Sequence, residues 1–216
     1  MGLRYVKFDD LQSDLDFGLV LTGHDIGLPA AKNESVELQG ADGTLDLSEA
    51  FGRVLYGDRK LSFTFAKPDS QGFRDLVSEV AVALNGRRMR IVLSWDDDWY
   101  YVGRVSVSKA KVSDSMAQFT VDVTAEPFKY AVRNERYEIA LNDTAKKIVL
   151  YDRLTLPVYP TFVASGTANI TCGSVSHVLS NATATYDDIL VEDGSGTMLA
   201  MTGTGKLVVT YQRRSM

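Results

Sequence analysis

A chain of 216 residues, 45% hydrophobic and 24% charged, has an ordinary soluble globular composition and the length for one large core or two small ones. Its formal net charge of −5 is spread over many acidic and basic residues, which argues against the gathered basic face of a nucleic-acid surface. A single cysteine, Cys172, excludes an intramolecular disulfide, and the two histidines, His24 and His177, leave little material for a Cys/His zinc site.

The first residues, MGLRYVKFDD, lack the apolar core of a signal peptide, and no stretch approaches the ~20 apolar residues of a membrane span. A reducing compartment is therefore expected, and the glycosylation-like triplets at Asn33, Asn142, Asn169 and Asn181 are chance matches on this reading. Val6 stands where a myristoylation motif wants Ser or Thr.

In chain order, the alternation from Tyr5 to Phe8 predicts an edge strand, and Phe17 to Leu21 a second short one before Pro29 ends the region. Val36 and Leu38 open a strand that runs into Gly40-Ala41-Asp42-Gly43, whose glycines permit the positive φ of a tight turn. Leu45 and Leu47 resume it. Leu61, Phe63 and Phe65 alternate with Lys60, Ser62 and Thr64, a clear half-buried strand. Pro68-Asp69-Ser70 then supplies a helix start with an N-cap. Phe73, Leu76, Val77, Val80 and Leu84 recur at the spacing of one helical face, and Asn85-Gly86 stops the run. One helix between two strands is expected to lie across a sheet and cover its apolar face.

Met89, Ile91, Leu93 and Trp95 alternate with polar neighbours, and so do Phe119, Val121, Val123 and Ala125. Asp96-Asp97-Asp98 reads as the turn of a hairpin returning through Trp99 to Val107, which makes a three-stranded meander with the strand from Met116. Gly103, inside the return strand, marks a bulge or a close backbone approach.

After Tyr130 the character changes. Residues 131–153 are polar and charged, and Thr155 to Thr185 contain no Asp, Glu, Lys or Arg. The shift predicts a domain at 1–135, a linker at 136–154, and a small all-β sandwich at 155–216. Its strands are expected at Thr161 to Ala164, Asn169 to Thr171, Val175 to Leu179, Asp188 to Val191 and Lys206 to Tyr211. Gly194-Ser195-Gly196 and Gly203-Thr204-Gly205 are expected as turns between them. The fold class is thus mainly β, antiparallel, with one covering helix and a small C-terminal β-sandwich.

Few residues invite chemistry. The three aspartates could bind a hard cation, but neighbouring strand residues point to opposite faces and Asp commonly serves turns. His24, expected in a loop, and His177, in a charge-free strand, have no nucleophile motif around them. Cys172 is read as a small buried residue. No phosphate-cradling loop, GxSxG elbow or HExxH is present. Trp95, Trp99, Tyr100 and Tyr101 around the acidic turn suit either core packing or an interface or sugar-stacking surface. No catalytic, cofactor-binding or metal-ligating residue is assigned, and no cofactor is expected.

The order of elements also carries a resemblance. YVKFDDLQSDLDFGLVLTGHDIGLP, VELQGADGTLDLSEAFGRVLYGDRKLSFTFA, the helix, MRIVLSWDDDWYYVGRVSVSKAK and FTVDVTAEPFKY together resemble the distal tail protein (Dit) family of long-tailed phages, from residue 1 to near Tyr130. The most specific pieces are the Gly40 to Gly43 turn with Leu-Asp-Leu after it, the Arg-x-Leu-x-Phe strand, and Tyr101 to Arg104 closed by Pro127-Phe128-Lys129-Tyr130. Residues 155–216 match by placement and strand content only and are short for that family's second domain.

The resemblance implies a non-enzymatic structural protein of a phage or prophage tail. Its N-terminal β domain would form a six-fold ring at the end of the tail tube, and a galectin-like or carbohydrate-module-like sandwich would project outward. Implied partners are further copies of the chain, the tail tube, tape measure and tail tip or baseplate proteins, and a host saccharide, without nucleic-acid sequence recognition or membrane insertion. The implied location is the virion tail, assembled in the host cytoplasm. A carbohydrate-binding module contacting host cell-wall saccharides and a metal-dependent hydrolase stand as alternatives.

Overall fold

A computed structural model of the chain describes residues 4–37, 40, 42–49, 54–67, 72–112, 117–150, 156–191 and 196–216. The chain divides into two compact units, Met1–Lys129 and Tyr130–Ser215.

Unit one contains β1 (Val6–Phe8), β2 (Leu11–Gln12), β3 (Val20–Ile26), β4 (Ser35–Glu37), β5 (Thr44–Asp46), β6 (Arg59–Lys67), α1 (Phe73–Leu84), β7 (Arg88–Leu93), β8 (Trp99–Val112) and β9 (Ala117–Ala125). The main sheet is antiparallel, in the order β2-β1-β7-β8-β9-β6-β3. The expected alternations hold: Leu61, Phe63 and Phe65 on β6, Met89, Ile91 and Leu93 on β7, and Phe119, Val121, Val123 and Ala125 on β9 are buried in one core. Each large side chain so buried contributes roughly 1.5–3 kcal/mol relative to exposure.

α1 adds Phe73, Val80 and Leu84 to that core. The Phe119 ring lies 6.1 Å from Phe73 and 5.9 Å from Phe65, so the helix covers the apolar face of the central strands. Its N-cap is Gly72, at φ 68° and without a side-chain hydrogen bond. Pro68, Asp69 and Ser70, the expected start signal, lie outside the described residues. At the other end Asn85 donates its N–H to Ala81 O at 2.9 Å, and Gly86 takes φ 76°. Gly103 is a close approach: a Cβ there would stand 2.6 Å from Val123 Cγ1 and 2.7 Å from Ala125 Cα.

β4 and β5 form a separate hairpin in the register Ser35↔Asp46, Val36↔Leu45 and Glu37↔Thr44. Leu38 of the expected strand lies outside the described residues. β1 is not an edge, because β2 flanks it. The strand expected from Phe17 begins only at Val20 and runs on through Gly23 to Ile26. His24 is therefore a strand residue opposite Phe63 and not part of a loop. β8 extends past the expected Val107, with a register shift between Ser108 and Lys111.

β10 (Lys129–Ala131) begins at the last residue of unit one, and unit two contains β11 (Glu135–Asn142), β12 (Lys146–Leu150), β13 (Thr161–Cys172), β14 (Val175–Ser180), β15 (Thr183–Thr185), β16 (Thr197–Tyr211) and β17 (Arg214–Ser215). β13 and β16 pair along their length, from Thr161↔Thr210 to Cys172↔Leu199. Each half of this long ladder has its own flanks. β11 pairs with β16 over Thr204–Tyr211 and β15 with β13 over Thr161–Val163; β12 pairs with β16 over Thr197–Met201 and β14 with β13 over Thr167–Cys172. Buried residues of both halves, including Phe162, Ile170, Leu199 and Val209, share one core. The two long strands therefore pass from one layer of a sandwich into the other.

Four expectations for this half need correction. Residues 136–154, expected as a linker, include β11 and β12, which supply Ile139, Leu141 and Leu150 to the core; their alternation is short and charged on the outer face, which hid it. Thr161 to Ala164 and Asn169 to Thr171 belong to one strand. Gly203-Thr204-Gly205 lies inside β16 rather than at a turn, opposite Ala168, Thr167 and Gly166. Asp188 to Val191 is not a strand: Val191 forms only an isolated bridge with Val158. Gly194 and Ser195 lie outside the described residues.

Candidate functional site

The acidic turn and its aromatics are the most chemically populated part of unit one. Asp96 N–H donates to Leu93 O at 3.0 Å and Trp99 N–H to Asp96 O at 3.1 Å, closing the turn between β7 and β8. The Asp96 carboxylate accepts a hydrogen bond from Lys129 Nζ at 2.7 Å, and the same ammonium sits 5.2 Å from the Trp99 ring centre. Asp97 and Asp98 are exposed. Among the described residues no group of three His, Cys, Asp or Glu side chains is arranged to hold a metal ion.

Each of the four aromatics carries a cation of the same unit on one face. Arg4 lies 5.4 Å from Trp95, Arg90 3.7 Å from Tyr100 and Arg59 5.0 Å from Tyr101, with Lys129 on Trp99. Such contacts contribute about 0.5–2 kcal/mol each, more where water is excluded. Trp95 also meets His24, ring centres 4.7 Å apart. Tyr101 and Arg59 are 3% and 2% exposed, and burial pushes the Tyr101 hydroxyl pKa up and the Arg59 guanidinium pKa down. Arg59 Nε donates to Gly27 O at 2.8 Å, so this cation ties the end of β3 to the start of β6.

The sheet face opposite the core is polar. Ser62 and Ser108 hydroxyls donate to the two Asp122 carboxylate oxygens at 2.7 and 2.8 Å. Arg88 pairs with Glu126. A cleft of about 610 Å³ beside them is lined by Asp58, Asn85, Arg88, Arg104, Thr124 and Glu126 among others.

In unit two, His177 Nε2 lies 2.8 and 3.0 Å from the two Asp188 carboxylate oxygens, and its ring stacks on Tyr186 at 3.8 Å. Sequence reasoning missed this pair, since Asp188 follows the charge-free run and reaches His177 only through the turn after β15. A histidine oriented by a carboxylate is the arrangement of a general base. Cys172, partly exposed rather than buried, is a poor nucleophile here, because burial first and the Asp188 charge second push its thiol pKa up.

No protein-family model matches the chain, and no curated protein matches it. Among solved structures the chain is similar to the crystal structure of the Dit protein of phage SPP1, described as a paradigm of the hub adsorption apparatus in phages that infect Gram-positive hosts. The TM-score is 0.70 at 12% identity, over 98% of this chain and 99% of that one. At this identity the likeness is one of fold, and it extends through both units, beyond the N-terminal stretch whose motifs carry the resemblance.

Proposed function

We propose that this chain is a structural protein of a phage or prophage tail, a ring-forming distal hub that joins the tail tube to the tail tip or baseplate. The observation that carries the reading is the whole-chain likeness in fold to the SPP1 Dit protein, reached at an identity too low to come from shared local motifs alone. On this reading unit one supplies the ring, a hexamer of identical copies. The tube, tape measure and tip proteins are its partners, unit two is an appendage, the virion tail is its place, and the role is not enzymatic.

Neither alternative gains support from the acidic turn. A sugar platform needs open aromatic faces, whereas one face of each turn aromatic is taken by a cation. A metal site at the turn needs Asp96, which is paired with Lys129. Electron microscopy and light scattering of the purified full chain across a wide concentration range test the hub reading. Closed rings are expected; a strict monomer at every concentration overturns it.

A further inference from the structure

A strand at the edge of a sheet leaves a row of backbone N–H and C=O groups unpaired, and natural folds protect such edges with charge, short length, bulges or proline. In the sheet of unit two, β11, β12 and β15 are protected in this way. β11 carries Glu135, Arg136 and Glu138, β12 carries Lys146 and Lys147, and β15 is three residues long. The remaining outer strand, β14, has none of these devices. Its six residues, Val175–Ser180, include no Lys, Arg, Asp, Glu, Pro or Gly, and their register against β13 runs unbroken from Thr167↔Ser180 to Cys172↔Val175. Among the described residues its one strand partner is β13.

The backbone of β14 faces its two sides in turn. Asn181 N–H donates to Gly166 O at 2.9 Å, one step beyond the Thr167↔Ser180 pair, and antiparallel pairs alternate between hydrogen-bonded and non-hydrogen-bonded. Ser180, Val178 and Ser176 therefore stand in the non-hydrogen-bonded pairs, with N–H and C=O aimed away from β13. The side chains agree, since such pairs bring them closest: the Thr167 and Ser180 hydroxyls are 3.3 Å apart and those of Thr171 and Ser176 3.1 Å. Ser176, Val178 and Ser180 are all exposed, Val178 at 68%. Leu179 is buried in the core, and His177 is bound to Asp188 and stacked on Tyr186 within its own copy.

The three exposed residues read Ser, Val, Ser in both directions along the strand. An antiparallel copy centred on Val178 would set Val178 opposite its own counterpart and Ser176 opposite Ser180, so that each outward N–H would meet an outward C=O and no Lys, Arg, Asp or Glu of β14 would oppose itself. We propose that β14 is a docking edge for a second copy of this chain, the two strands joined antiparallel about a two-fold axis at Val178 so that the sheet of unit two continues from one copy into the other. The contact is the same surface on both copies, unlike the head-to-tail contact a ring requires, so it does not rest on the hub reading. Two strands this short bury less than the ~1,200 Å² of stable complexes, and the pairing is expected to be reversible and concentration-dependent.

Sedimentation of the full chain over a wide concentration range tests it, with thermal unfolding as the control for folding. Val178→Lys sets two ammonium groups against each other across the axis, and Val178→Pro removes the central outward N–H at a position where an edge strand tolerates proline. Each should raise the concentration needed for pairing by at least about tenfold, whereas Val178→Thr, uncharged and β-branched, should keep it. A cross-link reads the same geometry directly. With Cys172→Ser to clear the native thiol, Val178→Cys should give a covalent dimer on mild oxidation, and Val149→Cys, also exposed but on β12, should not; this comparison decides where the lysine or proline variant fails to fold. If those two variants pair as the unaltered chain does, or Val178→Cys gives no covalent dimer, the edge is not the contact. Rings without two-fold pairing overturn this inference and leave the hub reading; pairing without rings does the reverse.

Discussion

The two units close their cores in different ways. Unit one lays a separate element, α1, over a sheet whose strands alternate strictly. Unit two carries β13 and β16 through both halves of one sheet, which folds over its own core. The change-over lies where Gly166 faces Gly205 and Gly203 faces Ala168, with φ of 107°, 97° and 129° at the three glycines. A Cβ at Gly203 or Gly205 would stand 2.0 Å from a carbonyl oxygen of β13, and one at Gly166 2.1 Å from Thr204 O. A glycine inside a long strand can therefore mark a place where the sheet turns rather than where the strand ends.

The largest effect should come from breaking that device. Gly203→Ala combines a backbone conformation closed to L side chains with a contact that no rotamer relieves, and is expected to cost more than about 4 kcal/mol. Calorimetry should show the transition of unit two lost and that of unit one kept. A variant with both transitions intact would mean that the change-over is not built on these glycines. A fragment of residues 155–216 should fail just as badly, because it lacks the strands that bring Ile139, Leu141 and Leu150 into the core. Circular dichroism of that fragment checks it, and a folded signal would restore 136–154 to the role of a linker.

What could be read from the sequence follows the same division. Strict alternation with one helical face between strands is a local signal, so the core of unit one, its helix and its meander were legible at Phe63, Val80 and Val121. In unit two the signals conflict. Gly203 and Gly205 carry the ordinary mark of a turn, and only the partner strand shows that they lie in a ladder. The turn aromatics were legible too, but their cations were not. Arg4, Arg59, Arg90 and Lys129 come from different elements, and register, not spacing, brings them together. Asp188 reaches His177 in the same non-local way.

Unit one offers a milder counterpart to the glycine device. Gly103 is buried against Val123 and Ala125, but its φ is not in the left-handed region. Gly103→Ala therefore adds crowding without strain and is expected to cost about 1–3 kcal/mol, read as a lower melting temperature of unit one with unit two unchanged. A loss as great as that of Gly203→Ala would erase the distinction drawn between them.

A smaller effect belongs to the surface of unit two. Glu138 accepts from Lys206 Nζ at 2.5 Å and Arg136 Nη2 at 2.6 Å, and these hydrogen bonds hold its pKa below the ordinary 4.5, with Lys206 the larger cause. A carboxylate depressed in the folded state adds stability that is present above 4.5 and fades as pH falls through the lower folded value. Wild type should thus exceed Glu138→Gln slightly at neutral pH and converge with it in acid. The group is fully exposed, so solvent screening keeps the difference small. Melts at several pH values decide it, and a gap that widens in acid would contradict the sign.

The least change is expected where one unit is cut away from the other. All the buried residues of the first core fall between Val6 and Ala125, and every rung of its main ladder described above joins strands of that same stretch. Ending the chain after Lys129 keeps several contacts that hold the exit segment, among them Lys129 with Asp96 at 2.7 Å and Arg59 Nη1 with Pro127 O at 3.4 Å. A cut near residue 135, at the expected boundary, would instead leave the start of β11 without the β16 partners that pair it from Glu135 onward. We expect residues 1–129 to melt cooperatively at the temperature of the first unit in the full chain, and to form rings as the full chain does. Matching scans with matching rings by microscopy are the measurement. If the fragment aggregates or loses its transition, unit one depends on unit two, and the two ways of closing a core are parts of a single folding unit.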